Sequence, residues 1–82
     1  TNPVASVANR STVVAGLEAA ELVVVSDVYA TETTAHADVV LPAAMWAEVD
    51  GVLVNSERSL TLLRRGVDPP GEALPDWALI AR

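Results

Sequence analysis

The chain has no cysteine and no phenylalanine, and its five basic residues are all arginine. Each absence closes a class of function. Without thiols these residues cannot make a disulfide, a thiolate zinc site or an iron–sulfur ligand set, and nothing marks a redox compartment. Eleven acids against five arginines leave a net charge of −6, the wrong sign for a nucleic-acid backbone, which needs a basic stripe. No apolar run approaches the roughly 20 residues that span a bilayer, and Thr1-Asn2-Pro3 opens nothing like a charged-then-apolar leader. A soluble chain without membrane contact is expected, in the cytoplasm or else the periplasm. Four scattered glycines at 16, 51, 66 and 71 form no phosphate-cradling loop, and no G-x-S-x-G elbow surrounds any serine.

What is present is small and aliphatic. Hydrophobic residues make up 51% of the 82 positions but aromatics only 4%, so valine, alanine and leucine must build the core. Such side chains suit a parallel sheet covered by helices. The length suits one domain or a piece of one.

The order of elements follows from periodicity. Val13, Leu17 and Ala20 fall at helical spacing behind Ser11, a candidate N-cap. Leu22-Val23-Val24-Val25 reads as a strand buried on both faces, stopping at Ser26-Asp27. Residues 31–37 carry a capping threonine and an early acid, which predicts a short helical crossover. Asp38 then opens a second strand, Val39-Val40-Leu41, ended by Pro42. Helix, strand, short helix, strand is the alternation of a parallel α/β unit. After Gly51, Val52-Leu53-Val54 and Leu60-Thr61-Leu62-Leu63 flank a polar turn and predict a short β-hairpin, with a helix as the alternative for the second segment. Residues 67–72 must be a loop, since Pro69-Pro70-Gly71 denies regular hydrogen bonding. Pro75-Asp76 begins a last helix. Both ends read as cut, with no internal boundary over residues 1–82.

Several side chains invite a chemical reading, each with a plainer one beside it. Asp27 stands at the carboxyl end of a strand, where open α/β sheets hold ligands; a turn cap is the plainer alternative. Asn2 suits a base or phosphate contact, or simply an Asn-Pro turn. His36, alone between alanines, reads as a surface or capping residue and lacks partners for zinc. Glu48, Asp50 and Glu57 do not match a calcium loop and read as solvated turn acids. Arg64-Arg65 is the sole basic pair, at a strand end.

Taken in order, Thr1-Asn2-Pro3, Leu22-Val23-Val24-Val25-Ser26-Asp27, Thr31-Glu32-Thr33, Ala37-Asp38-Val39-Val40-Leu41-Pro42-Ala43-Ala44, Trp46, Glu48, Gly51, Asn55-Ser56-Glu57-Arg58, Pro69-Pro70-Gly71-Glu72 and Pro75-Asp76-Trp77 resemble the molybdopterin-guanine-dinucleotide oxidoreductases. These include nitrate reductases and formate dehydrogenases. The resemblance runs through the whole chain. It implies a fragment of one doubly wound, Rossmann-like α/β domain holding the guanosine end of a molybdopterin guanine dinucleotide. It also implies that Asn2, Ser26, Asp27 and Asp76 fall on cofactor-contact positions. Val49 stands where nitrate-reductase-like members commonly carry lysine, and Ser59 and Leu74 stand where arginine is common.

The same resemblance implies a molybdenum oxidoreductase that uses an iron–sulfur cluster, with the cluster cysteines and the molybdenum ligand outside these residues. This segment then binds cofactor but is not itself catalytic. Its partners are the remainder of the same chain and an electron-transfer subunit. Ala43-Ala44-Met45-Trp46 and Asn55-Ser56-Glu57-Arg58 lean toward nitrate reductase. Formate dehydrogenase, a non-catalytic scaffold domain of a complex I-type iron–sulfur subunit, and an autonomous small α/β module are the alternatives.

Overall fold

The computed structural model describes all residues from Thr1 to Arg82 as a mixed α/β chain with two two-stranded sheets. It divides into two compact units, Thr1–Pro42 and Ala43–Arg82. No helix is long and apolar enough to cross a membrane.

In the first unit, Pro3–Ser6 forms a short helix, α1, directly after Asn2, for which an Asn-Pro turn was the plainer reading. Proline's fixed φ suits the first helical turn, where its missing N–H would be unpaired in any case. Ser6 Oγ donates to the Asn2 carbonyl at 2.8 Å. Val4, 1% exposed, is the most deeply buried apolar side chain.

Helix α2 spans Arg10–Ala19. Its cap is Asn9, not Ser11: Asn9 Oδ1 accepts from the Thr12 backbone N–H at 3.3 Å and from Ser11 Oγ at 3.0 Å. Ser11 lies one residue inside the helix, too late for its oxygen to reach the orphan amides of the first turn.

Strands β1, Val24–Asp27, and β2, Val39–Pro42, pair in parallel, Val24 opposite Val39 through Asp27 opposite Pro42. The parallel relation expected from the alternating pattern is therefore present. The bounds of β1 differ from the reading at 22–25. Val23 makes the junction instead: its carbonyl accepts from the N–H groups of Asp38 and Val39 at 2.9 and 3.1 Å. Its own N–H donates to Asp38 Oδ2 at 2.8 Å. Asp38 thus opens β2 by clamping the start of β1.

Burial alternates from Val23 into β1, with Val23 and Val25 inside and Val24 half exposed. A continuous apolar run predicted burial on both faces, but within this chain only one face is covered. The crossover between the strands contains a single 3₁₀ turn, Thr34–His36. Three residues are too few for α-helical bonding to propagate.

In the second unit, a 3₁₀ turn at Trp46–Glu48 is capped by Glu48, whose Oε2 accepts from the Met45 N–H at 2.8 Å. Strands β3, Gly51–Val54, and β4, Leu60–Leu63, form the expected antiparallel hairpin, Gly51 opposite Leu63 and Val54 opposite Leu60. The turn is organised by Asn55, whose Oδ1 accepts from the N–H groups of Glu57 and Ser59 at 3.0 and 2.9 Å. Arg58 completes it at φ 64°, the left-handed region that side chains with a Cβ rarely enter.

The Ala47 carbonyl accepts from Gly66 and Val67, and Ala44 donates to the Leu74 carbonyl, closing the unit around buried Ala43 and Ala73. Residues 67–72 are loop, with Gly71 at φ 56°. Helix α3, Asp76–Ile80, follows Pro75 as expected.

Candidate ligand cleft at the strand ends

Parallel pairing puts the carboxyl ends of β1 and β2 side by side, and a cleft of about 410 Å³ opens there, lined by Asp27, Tyr29, Thr31, Thr34, Val40 and Pro42 among others. Asp27 is the only charged side chain in the lining. Its Oδ1 accepts from the Val28 N–H at 2.8 Å. That bond uses one of about four acceptor positions on a carboxylate, so the turn-cap role and a ligand role are compatible. With no cation on its walls, the cleft favours a neutral, donor-rich group over a phosphate. A base edge carrying N–H donors, or a pair of ribose hydroxyls, meets that requirement. Thr31 and Thr34 brace the wall: Thr34 Oγ1 accepts from the Thr31 N–H and donates to the Thr31 carbonyl, both at 2.8 Å.

The other sequence-derived candidates fall at different places. Ser26 precedes Asp27 on β1 and points to the opposite face, because strand side chains alternate. Asn2 lies in the same unit but does not line the cleft. Its carboxamide is engaged on both sides, donating from Nδ2 to Glu32 Oε2 at 2.6 Å and accepting at Oδ1 from Thr33 Oγ1 at 2.5 Å. The hydrogen bond from Asn2, then one from its own backbone, then the nearby Arg10 charge hold the Glu32 carboxyl below the usual glutamate range.

Asp76 belongs to the second unit. It stands at the start of α3 beside a cleft of about 320 Å³ that Trp46, Val49, Leu53, Leu63 and Trp77 also line. Val49, where lysine is common in nitrate-reductase-like chains, therefore shares its cleft with Asp76.

The remaining polar residues have local explanations. His36 closes the first 3₁₀ turn with Nδ1 4.0 Å from Glu18 Oε1. Asp50 Oδ1 accepts from the Arg65 N–H at 3.0 Å, and Arg65 also pairs with Asp68 at 3.3 Å. Ser59 and Leu74, the other departures from basic residues, serve the hairpin turn and the Ala43 bridge.

Sequence reasoning missed Thr33, a residue only 3% exposed. A threonine within Thr31-Glu32-Thr33-Thr34 gives no sign of which hydroxyl turns inward. Tyr29, an exposed ring on the cleft, also went unremarked.

By fold this is a mixed α/β segment with a cleft at parallel strand ends whose one charged group is a carboxylate. The chain belongs to the molybdopterin oxidoreductase family, whose profile matches residues 1–82. The F420-dependent formate dehydrogenase subunit alpha of Methanocaldococcus jannaschii is 48% identical over 81 residues, which cover 99% of this chain and 12% of that one. Nitrate reductase of Symbiobacterium thermophilum is 47% identical over 81 residues, covering 98% and 11%. Nitrate reductase of a Synechocystis species is 43% identical over 82 residues, covering 99% and 12%. The chain thus spans about an eighth of these relatives' length. Family membership implies a molybdenum–pterin cofactor. The cleft residues fit the part of such a group that presents N–H or O–H donors, because the Asp27 carboxylate accepts and no other carboxylate lines the cleft.

Proposed function

We propose that residues 1–82 hold the guanosine end of a molybdopterin guanine dinucleotide within a larger molybdenum oxidoreductase. One observation carries this reading: a cleft at the ends of two parallel strands whose single charged group is the Asp27 carboxylate. Guanine presents a ring N–H and an exocyclic amino group side by side, and a carboxylate accepts from both in a bidentate, charge-assisted manner. Asp27 is assigned that contact; the family resemblance assigns Ser26 and Asp76 contacts of their own outside the Asp27 cleft, and Asn2 a place in the same binding set. The parallel pair β1–β2 is read as two strands of a doubly wound sheet and residues 1–82 as part of one cofactor-binding domain, a reading supported by the strand–crossover–strand order.

The molybdenum–pterin group supplies the two-electron chemistry when bound, while residues of this segment bind and orient it. We assign the reaction to reduction of nitrate to nitrite and water, in a cytoplasmic enzyme. Its partners are the remainder of the chain, an iron–sulfur cluster there, and an electron-transfer subunit. Formate oxidation is the second reading, favoured by the 48% identity to a formate dehydrogenase alpha subunit.

The full-length protein, purified and denatured, should release molybdenum together with guanine nucleotide. Release of neither would overturn the reading and favour a non-catalytic scaffold domain. Nitrite formation with reduced viologen, against carbon dioxide formation from formate with oxidised viologen, separates the two reactions.

A further inference from the structure

The wall of the Asp27 cleft formed by Val28–Ala35 is a strand-end loop. Thr31 and Thr34 bond each other within it, but such local bonds do not fix a loop against the rest of a fold. Thr33 does. It does not line the cleft, and it is the one polar residue buried in the chain. Its Oγ1 accepts from the Val4 backbone N–H at 3.2 Å and donates to Asn2 Oδ1 at 2.5 Å, partners 29 and 31 residues earlier in the sequence. Asn2 then returns to the same loop by donating to Glu32. One hydroxyl and one carboxamide therefore tie the entry to α1 to two adjacent residues of the loop. A loop ordered before the ligand arrives spares the ligand the entropy of ordering it.

We propose that Thr33 is a positioning residue for the nucleoside cleft, holding the Thr31–Thr34 wall in register through Val4 and Asn2, and that Asn2 serves the cofactor site through this tether. The inference rests on the reading of the Asp27 cleft as the guanosine site.

Thr33→Val keeps the shape of the side chain and removes the hydroxyl, whereas Thr33→Ser keeps the hydroxyl. In the full-length holoenzyme, warmed and followed by appearance of free pterin fluorescence, Thr33→Val should release cofactor about tenfold faster, a size typical of supporting contacts behind a binding group. Thr33→Ser should stay near wild type. Glu32 is exposed, so Glu32→Ala probes the same tether at no risk to the core and should accelerate release about threefold, a fraction of the Thr33→Val effect. Val4→Ala loosens the same region by packing alone, and at matched thermal stability it should release cofactor more slowly than Thr33→Val.

Wild-type release from Thr33→Val and Glu32→Ala, or equal release from Val4→Ala and Thr33→Val, overturns the positioning role. Asp27→Ala separates the two levels. If it alone accelerates release, the cleft assignment stands and the tether falls; if it too leaves release unchanged, the cleft assignment falls with it.

Discussion

Residues Thr1–Pro42 and Ala43–Arg82 are nearly equal in length and differ in what orders them. The first unit buries Val4, Val23, Val25 and Thr33 and ties its start to the crossover loop by side-chain bonds between Asn2, Glu32 and Thr33. The second buries only Ala43 and Ala73, leaves Trp46 and Trp77 68% and 69% exposed, and is held mainly by backbone bonds and a hairpin. Backbone pairing, from the hairpin to the Ala44–Leu74 closure, shapes the second unit with little side-chain burial. The first depends on long-range packing, and there the strand-end cleft gains walls fixed by residues that never touch it.

The largest test of that contrast is steric. Val4→Ala removes two methyl equivalents from a fully buried site, worth about 2 kcal/mol once the cavity is included. Trp77→Ala, on an exposed ring, should cost under about 0.5 kcal/mol if the ring is equally exposed in the full-length protein. Native-state amide exchange at Val25 and at Leu62 reads the two units separately. Should Trp77→Ala prove as costly as Val4→Ala, the contrast breaks, and the ring is covered in the intact protein.

A smaller effect is expected at the hairpin turn. Arg58 sits at φ 64°, where an L side chain is penalised, and Gly enters that region without a Cβ clash. Allowing for glycine's greater freedom in the unfolded chain, Arg58→Gly should raise the stability of the hairpin by about 0.5 kcal/mol. Slower amide exchange across β3 and β4 is the expected result. Faster exchange would mean that the arginine side chain contributes more than its backbone strain removes.

The same contrast explains what could be read in the sequence. The parallel strands, the hairpin, the proline loop and the last helix were legible, because each is announced by local periodicity or by proline and glycine. Asp27 at a strand end was legible for the same reason. The cap at Asn9, the helix after Asn2 and the buried hydroxyl of Thr33 were not. Asn9 and Ser11 are both good cap residues, and only backbone geometry chooses between them. Which of three threonines turns inward is decided by Val4 and Asn2, about thirty residues away. Long-range polar partners leave no periodic trace in a single sequence. Val24 misled in the opposite sense, since a β-branched run is the same string whether one face or both are covered.

The finest test concerns the charged end of the tether. Glu32 is held below the usual glutamate range, chiefly by the hydrogen bond from Asn2. A carboxyl depressed in the folded state contributes its stabilisation at and above the ordinary glutamate range, and loses it as pH falls through the lower folded value. The Asn2–Glu32 bond should therefore be intact at neutral pH and fade only below the range where an unpaired glutamate titrates. Because Glu32 is fully exposed, the effect on global stability is small, and the proper readout is local: the carboxyl carbon shift of Glu32 followed by NMR against pH. Asn2→Ala should move its midpoint upward, and Asn2→Asp should move it further, since a like charge replaces the donor. A midpoint unchanged by both substitutions would show that the contact does not persist in solution. The first unit would then be held by its buried valines and the Thr33 hydroxyl alone.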